Sequence, residues 1–198
     1  MGRPQGNYIT IEAPNLSASD EDYHREISKE LAKHIRKLVP VEKELTALVV
    51  GLGNRDVTPD ALGPDVVSNL RITRHVIQEY GVQSMGKEYA NSISGLVPGV
   101  MAQTGMETLE IIRGVVDETK PDVVFAVDAL AARSTKRLNR TIQITDTGIN
   151  PGSGVGNHRN GLSEETLGVK VIGIGVPTVV DAATIVQDSM AHLLDPLE

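Results

Sequence analysis

The chain has no cysteine among its 198 residues. This absence excludes disulfide bonds, thiolate metal sites and cysteine nucleophiles, and it is typical of a protein kept in a reducing cytosol. Aromatic residues are also scarce, at 3% of the chain, whereas hydrophobic residues as a whole make up 40%. The core must therefore be built from aliphatic side chains, which is typical of buried parallel strands covered by helices on both faces.

An excess of positive charge and long apolar runs are missing as well. The formal net charge is −7, which argues against direct nucleic-acid binding, because that binding needs clustered Lys and Arg. No apolar stretch approaches the roughly 20 residues that cross a membrane, and the N-terminus lacks the hydrophobic segment of a signal peptide. We therefore expect a cytoplasmic protein with no membrane partner, long enough for one domain.

The order of the predicted elements indicates an α/β fold. We expect residues 1–18 to form an N-terminal extended segment, in which 8–12 can be an edge strand, and residues 19–198 to form one α/β domain. Further strands are predicted over 46–52, 92–96, 122–127, 141–145 and 169–176. Helices are predicted over 19–38 and 64–81, from a capping box of Thr104 and Glu107 to Thr119, and after a cap formed by Thr178 and Asp181. This alternation predicts three layers, with a central, mainly parallel sheet and helices on both faces.

Two of the predicted strands run into an aspartate, Asp60 and Asp128. Asp60 lies in a Pro- and Gly-punctuated loop after the first buried strand, and Asp128 follows the apolar run 123–127. The carboxyl ends of parallel strands are where ligands bind in α/β proteins. Both residues also have ordinary structural explanations, as a helix cap or a loop hydrogen-bonding group. An ionised Asp at the end of an apolar strand is nevertheless costly unless it is paired or in use.

Two carboxyl groups brought close together can divide the work of an acid and a base. Their mutual repulsion raises one pKa and lowers the other. One can then activate water while the other, protonated, donates to a carbonyl oxygen. The same pair could hold a metal, but hard oxygen sites usually recruit further ligands. The sequence therefore predicts an acid-dependent hydrolase that needs no cofactor and no metal.

A Gly-rich loop over 146–161 is the second candidate feature. Its backbone amides could surround an anion, and we expect Gly152, Ser153 and Gly154 to form a rim that contacts substrate. Ser153 is not in a nucleophile elbow, because Pro151 occupies the position of the first glycine. Arg133, just after Asp128, either forms a local salt bridge or clamps an acidic substrate.

The remaining polar residues near strand ends have adequate structural explanations. His75 lies inside a predicted helix, and His158 follows the glycine loop, where a solvated side chain is expected. Neither histidine shows a metal-binding spacing. Asp146 is expected to stabilise a loop turn and Asp181 to cap the last helix.

Several short motifs, in their order along the chain, resemble the germination protease family of spore-forming bacteria, a group of atypical aspartic endopeptidases. The resemblance covers most of residues 45–194. The matching segments are 49–54, 57–64, 98–101, 128–134, 146–149, 151–157 and 175–182, and residues 7–12 resemble the segment that precedes the family's core.

The resemblance implies an enzyme that cleaves small acid-soluble spore proteins in the spore core during germination, which frees their DNA and supplies amino acids. It also implies a homotetramer made as a zymogen, and it places the two proposed catalytic aspartates at Asp60 and Asp128. The implied fold is similar to that of the hydrogenase-maturation peptidases. In those enzymes acidic residues and a histidine recognise a bound metal, and no counterpart of that histidine is recognisable in this sequence.

Two alternative functions stay open at this point. One is a metal-dependent peptidase of the maturation type. The other is a non-catalytic fragment or paralogue that binds spore proteins without cutting them. Family members extend well beyond residue 198, so we expect the family's C-terminal part to be missing from this chain.

Overall fold

One mixed sheet forms the centre of the molecule. The structure is a computed structural model that describes residues 4–40, 44–86, 90–151 and 160–194. The strands within these ranges are β1 (Tyr8–Glu12), β2 (Thr46–Gly51), β3 (Ser92–Leu96), β4 (Val123–Ala132), β5 (Thr141–Thr145) and β6 (Lys170–Val180). They are arranged in the order β1-β5-β6-β4-β2-β3. Strands β3, β2, β4 and β6 are mutually parallel, whereas β5 pairs antiparallel with both β6 and β1. The α/β class and the mainly parallel sheet are confirmed.

Helices cover both faces of this sheet. In the described residues they are α1 (Glu21–Leu38), α2 (Leu62–Ser68), α3 (Arg74–Tyr80), α4 (Met101–Thr104), α5 (Thr108–Thr119), α6 (Glu164–Leu167) and α7 (Ala182–Leu194). Short 3₁₀ turns lie at Thr58–Asp60, Val82–Met85 and Thr135–Arg137. None of the helices in the described part of the chain has the length and apolar character that crossing a membrane requires.

The alternation of side chains along the strands divides the core into two layers. Leu48 of β2 and Val124 of β4 belong to a cluster on the face that α5 covers with Ile112. Their neighbours Ala47 and Val123 belong to a second cluster on the opposite face, covered by α1. Because successive side chains of a strand point to opposite faces, both faces are buried, as three layers require. The buried residues of both clusters are aliphatic, as the sequence predicts.

The prediction of a single helix over 64–81 is wrong, because the structure has two helices there. The segment is divided into α2 and α3, because Thr73 is held by the strand that follows. The buried Thr73 hydroxyl donates to the Asn91 carbonyl at 2.6 Å and accepts from the Ile93 N–H at 2.9 Å. These bonds fix the chain between the two helices to the start of β3. Gly81 ends α3 with φ of 74°, as predicted.

Two of the predicted caps are also corrected. The capping box of α5 is Glu107 with Glu110, whose carboxylate accepts from the Glu107 N–H at 2.8 Å. Thr104 instead ends α4, because Gly105 follows in the left-handed region with φ of 71°. At α7, Asp181 accepts from the Thr184 N–H at 2.9 Å, which fits the predicted cap. Thr178 has no part in it, because β6 continues to Val180.

Candidate active site

Asp128 lies inside a strand, which corrects the prediction that the strand ends just before it. Strand β4 continues to Ala132 because β6 pairs with it throughout, from Asp128 opposite Gly175 onward. Strand β2, on the other side, ends at Gly51 opposite Val127. Asp128 is therefore the first residue of β4 beyond the carboxyl end of β2, and it is 6% exposed. Asp128 therefore lies at the carboxyl end of the neighbouring strand β2, but not at the carboxyl end of its own strand β4.

The neighbour of Asp128 on β6 is a glycine. Asp128 alternates in phase with Val124, so it points to the face that α5 covers further back along the sheet. Its partner across β6 is Gly175, where an added Cβ would lie 2.5 Å from the Leu130 Cδ1 atom. The Leu130 side chain therefore lies over Gly175, and any side chain at position 175 would have to displace it.

Asp60 ends the 3₁₀ turn Thr58–Asp60 and is half-buried. Its Oδ2 atom accepts from the Asn54 N–H at 2.7 Å, and its own N–H donates to the Val57 carbonyl at 2.8 Å. Gly53 has φ of 111°, and an added Cβ would lie 2.1 Å from the Asp60 carbonyl oxygen and 3.1 Å from Cγ. Only glycine tolerates both the backbone angle and the close approach. The chain at 53–54 therefore forms a backbone cradle for the Asp60 carboxylate.

Glycines bring the Asp60 segment against the strand that carries Asp128. An added Cβ at Gly63 would lie 2.3 Å from the Leu52 carbonyl oxygen and 2.6 Å from that of Val127, and one at Gly51 would lie 2.2 Å from the Gly63 oxygen. The start of α2 thus packs backbone to backbone on β2 and β4. The Thr58–Asp60 turn itself contacts both β4 and β6. The two predicted aspartates therefore both lie beyond the carboxyl end of β2, although they belong to separate elements.

Three residues that sequence reasoning missed hold this edge together. The Asn54 side chain accepts from the Asp56 N–H at 3.0 Å and from Gln103 Nε2 at 3.3 Å. The Thr178 hydroxyl of β6 donates to the Pro59 carbonyl at 2.5 Å. Pro177 was the available signal for the last contact, because proline within a sheet is confined to edges and bulges. No comparable signal marks Gln103.

Of the candidate substrate-binding residues, Arg133 lies within the part of the chain that the structure describes. Arg133 is exposed beyond the end of β4, five residues from Asp128, or roughly 16 Å along an extended chain. It forms no ion pair with any residue that the structure describes. Gly152, Ser153 and Gly154 lie outside the described residues, as does His158, and His75 is exposed on α3.

Asp181 caps α7, as expected, whereas Asp146 holds Asn7 rather than the loop turn that was expected. Partial burial raises the pKa of Asp146, but hydrogen bonds from the side chain and main chain of Asn7 outweigh it and hold the pKa below its usual value. Hydrogen bonds from Thr184 likewise lower the pKa of Asp181 at the start of α7. Within residues 4–40, 44–86, 90–151 and 160–194, no group of three or more His, Asp or Glu side chains that could hold a metal comes together.

Comparisons with known proteins agree on one family. The family model described as germination protease matches residues 1–197. The germination protease of Caldanaerobacter subterraneus is 54% identical over 197 residues, and that of Clostridium tetani is 51% identical over 197 residues. Each match covers 100% of this chain and 60% of the relative. The germination protease of Bacillus velezensis is 51% identical over 198 residues, which cover 98% of this chain and 53% of the relative.

The chain thus spans between half and two thirds of the length of the curated relatives it matches. Among solved structures, a [NiFe] hydrogenase maturation protease, HycI from Thermococcus kodakarensis KOD1, matches with a TM-score of 0.40 and 18% identity. That match covers 82% of this chain and 97% of the other.

Proposed function

The chain belongs to the germination protease family, and we propose that it is an endopeptidase that cleaves small acid-soluble spore proteins during spore germination. The match of the family model over residues 1–197 supports a peptidase. The relatives at 54% and 51% identity, both named germination protease, support a role in germination. The acidic net charge of −7 suits an enzyme that does not itself bind the DNA of the spore.

The observation that carries the proposed chemistry is that the turn ending at Asp60 lies against β4, the strand that carries Asp128. The Asp60 turn contacts β4, and Asp128 is the residue of β4 that emerges where β2 ends. Asp128 comes from a buried central strand, and Asp60 is held by the Asn54 N–H. Rigid elements therefore present both carboxyl groups, as general acid–base catalysis requires.

In the proposed reaction, one carboxylate takes a proton from water while the water oxygen bonds to the scissile carbonyl carbon. The other carboxyl group, protonated, donates its proton to the carbonyl oxygen. The C–N bond of the tetrahedral intermediate then breaks, and the proton on the first carboxyl group passes to the leaving amine nitrogen. As the C=O bond re-forms, the second carboxylate takes a proton back from one of the two hydroxyl groups of the intermediate. Each aspartate ends the cycle ready for the next, and the two share the acid and base roles.

We also propose the surrounding features that the family resemblance implies. The substrate contacts include Arg133 and a rim formed by Gly152, Ser153 and Gly154. The full-length protein is a homotetramer in the spore core, made as a zymogen that loses an N-terminal propeptide. The reaction needs no cofactor and no metal.

The test is the cleavage of purified small acid-soluble spore proteins by the parent chain, Asp60→Asn and Asp128→Asn. Asp65→Asn is the matched control, because Asp65 is an exposed carboxylate in the first turn of α2, five residues from Asp60. We expect each catalytic variant to lose at least a hundredfold in rate, in the range of acid–base catalysis, and the control to cut like the parent. Parental rates in either catalytic variant would exclude the acid pair.

Two further arms of the same assay separate the alternatives. Activity that disappears with a chelator and returns with nickel or zinc would favour a metal-dependent peptidase of the maturation type. Binding of the spore proteins without any cleavage by the parent chain would favour the non-catalytic alternative.

A further inference from the structure

A bulge in β6 lies beside the Asp60 turn. Pro177 pairs with Leu130 of β4, but the next residue of β4, Ala131, pairs with Val179. Thr178 is therefore an extra residue of β6 with no counterpart on β4. Such a residue leaves the ladder, and its side chain is redirected, which is why bulges are frequent next to active sites. Proline at 177 suits the bulge, because it has no N–H to donate to the ladder.

The redirected side chain contacts the peptide group between Pro59 and Asp60. The half-buried Thr178 hydroxyl donates to the Pro59 carbonyl at 2.5 Å. The N–H of the same peptide group, which belongs to Asp60, donates to Val57 at 2.8 Å. Both polar groups of this peptide are therefore occupied. The bond to Val57 lies within the loop, whereas the bond from Thr178 joins the loop to the strand that pairs with Asp128.

We propose that Thr178 is a positioning residue that holds the Asp60 carboxyl group in register with Asp128. This inference rests on the proposed function, since it assigns Thr178 a part in the work of the acid pair. Gly175 pairs with Asp128 three residues before Thr178 on the same strand. Strand β6 thus borders Asp128 directly, and the Thr178 hydroxyl ties the Asp60 turn to that same strand.

The first test measures whether the hydroxyl holds the turn, and it requires no activity. Thr178→Val removes the hydroxyl but keeps the β-branched shape that strands favour, and Thr178→Ser keeps the hydroxyl. We expect the amide hydrogens of Asn54 and Asp60 to exchange about tenfold faster in Thr178→Val, the effect of one lost hydrogen bond. Thr178→Ser should exchange like the parent. Unchanged exchange in a folded Thr178→Val would overturn the inference.

The matched control for this comparison is Thr119→Val. The Thr119 hydroxyl also donates to a backbone carbonyl, that of Val115 at 2.7 Å, but at the end of α5. It should leave the exchange of Asn54 and Asp60 unchanged. Thr178→Ala, which also removes the hydroxyl, replaces Thr178→Val if the valine variant does not fold.

The second test measures the consequence for cleavage of small acid-soluble spore proteins. Thr178→Val should lower kcat about tenfold with KM within twofold of the parent, and Thr178→Ser should have the kcat of the parent, because misplaced catalytic groups lower the rate rather than substrate binding.

Faster exchange without a fall in kcat would overturn the positioning role. Parental activity in Asp60→Asn would instead refute the acid pair, and a parent chain that does not cut would refute the proposed function. In both cases the exchange data still decide whether Thr178 holds the turn.

Discussion

Asn7 and Asp146 are joined by two hydrogen bonds of 2.7 Å, although 139 residues separate them in the sequence. The main-chain N–H of Asn7 donates to Oδ1 and its side-chain amide donates to Oδ2. Asp146 follows the last residue of β5, Thr145, which pairs with Tyr8 at the start of β1. The aspartate therefore fixes the point at which the N-terminal strand enters the edge of the sheet.

The attachment of β1 should weaken in acid. Partial burial raises the pKa of Asp146, but the hydrogen bonds from Asn7 lower it by more than burial raises it. The pKa is therefore below its usual value of 3.8. A carboxyl group with a lowered folded-state pKa contributes stability that is present above its unfolded pKa and is lost as the pH falls through the folded one. Asp146→Asn should lower the free energy of unfolding by about 1 kcal/mol at pH 7. This difference should shrink below about pH 4.

Urea unfolding of the parent and of Asp146→Asn at pH 7 and at pH 3 measures this difference. Asp117→Asn is the control, because Asp117 is an exposed carboxylate on α5 whose contact with Lys120 is 3.9 Å long. A stability difference for Asp146→Asn that is equal at both pH values would contradict the assigned role of the ionised carboxylate.

The backbone cradle of Asp60 can be disturbed without changing either aspartate. Gly53→Ala places a Cβ at a position 2.1 Å from the Asp60 carbonyl oxygen, at φ of 111°. We expect a loss of about 1–3 kcal/mol in stability and a loss of cleavage of at least tenfold, because the turn must move. Thermal unfolding and the spore-protein assay measure both effects.

Gly114→Ala is the matched control for the Gly53 substitution. Gly114 lies within α5, and an added Cβ there meets no atom within 4 Å. Alanine should therefore stabilise the helix by about 0.5–1 kcal/mol and leave cleavage unchanged. If Gly53→Ala behaves like Gly114→Ala, the cradle does not position Asp60.

The sequence predicts what depends on local pattern and misses what depends on distant partners. Strand β2 and helix α1 were predicted because an apolar run and a helical spacing of apolar residues lie within single segments. The break between α2 and α3 was missed because Thr73 is held by β3. The length of β4 was missed because residues beyond Asp128 stay in a strand only through their pairing with β6.

The candidate site divides in the same way. Asp60 and Asp128 could be selected from the sequence, because each follows a buried apolar run and the edge where parallel strands end is the usual place for ligands. Asn54 could not, since its contact with Asp60 arises from loop geometry, and Thr178 was marked only indirectly, by the proline before it in the bulge. Thr178 was assigned to a helix cap because its distance from Asp181 in sequence matched a capping motif.

Arg133 should affect substrate binding rather than the chemical step. Its exposed side chain lies beyond the end of β4, five residues after Asp128, so we expect it to contact substrate away from the proposed acid pair. If it clamps an acidic part of the substrate, Arg133→Ala should raise KM about three- to tenfold, with kcat unchanged and with a smaller effect at high salt.

Steady-state cleavage at two salt concentrations measures the effect of Arg133→Ala. The control is Arg36→Ala, which removes an exposed arginine from α1, on the face of the sheet opposite to Asp128. A KM like that of the parent would remove Arg133 from the substrate-binding residues.

The strongest prediction about the acid pair concerns its two members together. Groups that act as a unit in one transition state have effects that do not add, because removing one already abolishes the step in which the other acts. If Asp60 and Asp128 are the acid and base of one water attack, the double variant Asp60→Asn with Asp128→Asn should cut no more slowly than the worse single variant. Single-turnover cleavage by the parent, both single variants and the double variant gives the coupling directly. Fully additive losses would mean that the two carboxyl groups contribute independently, and the shared reaction would have to be abandoned even if each aspartate mattered alone.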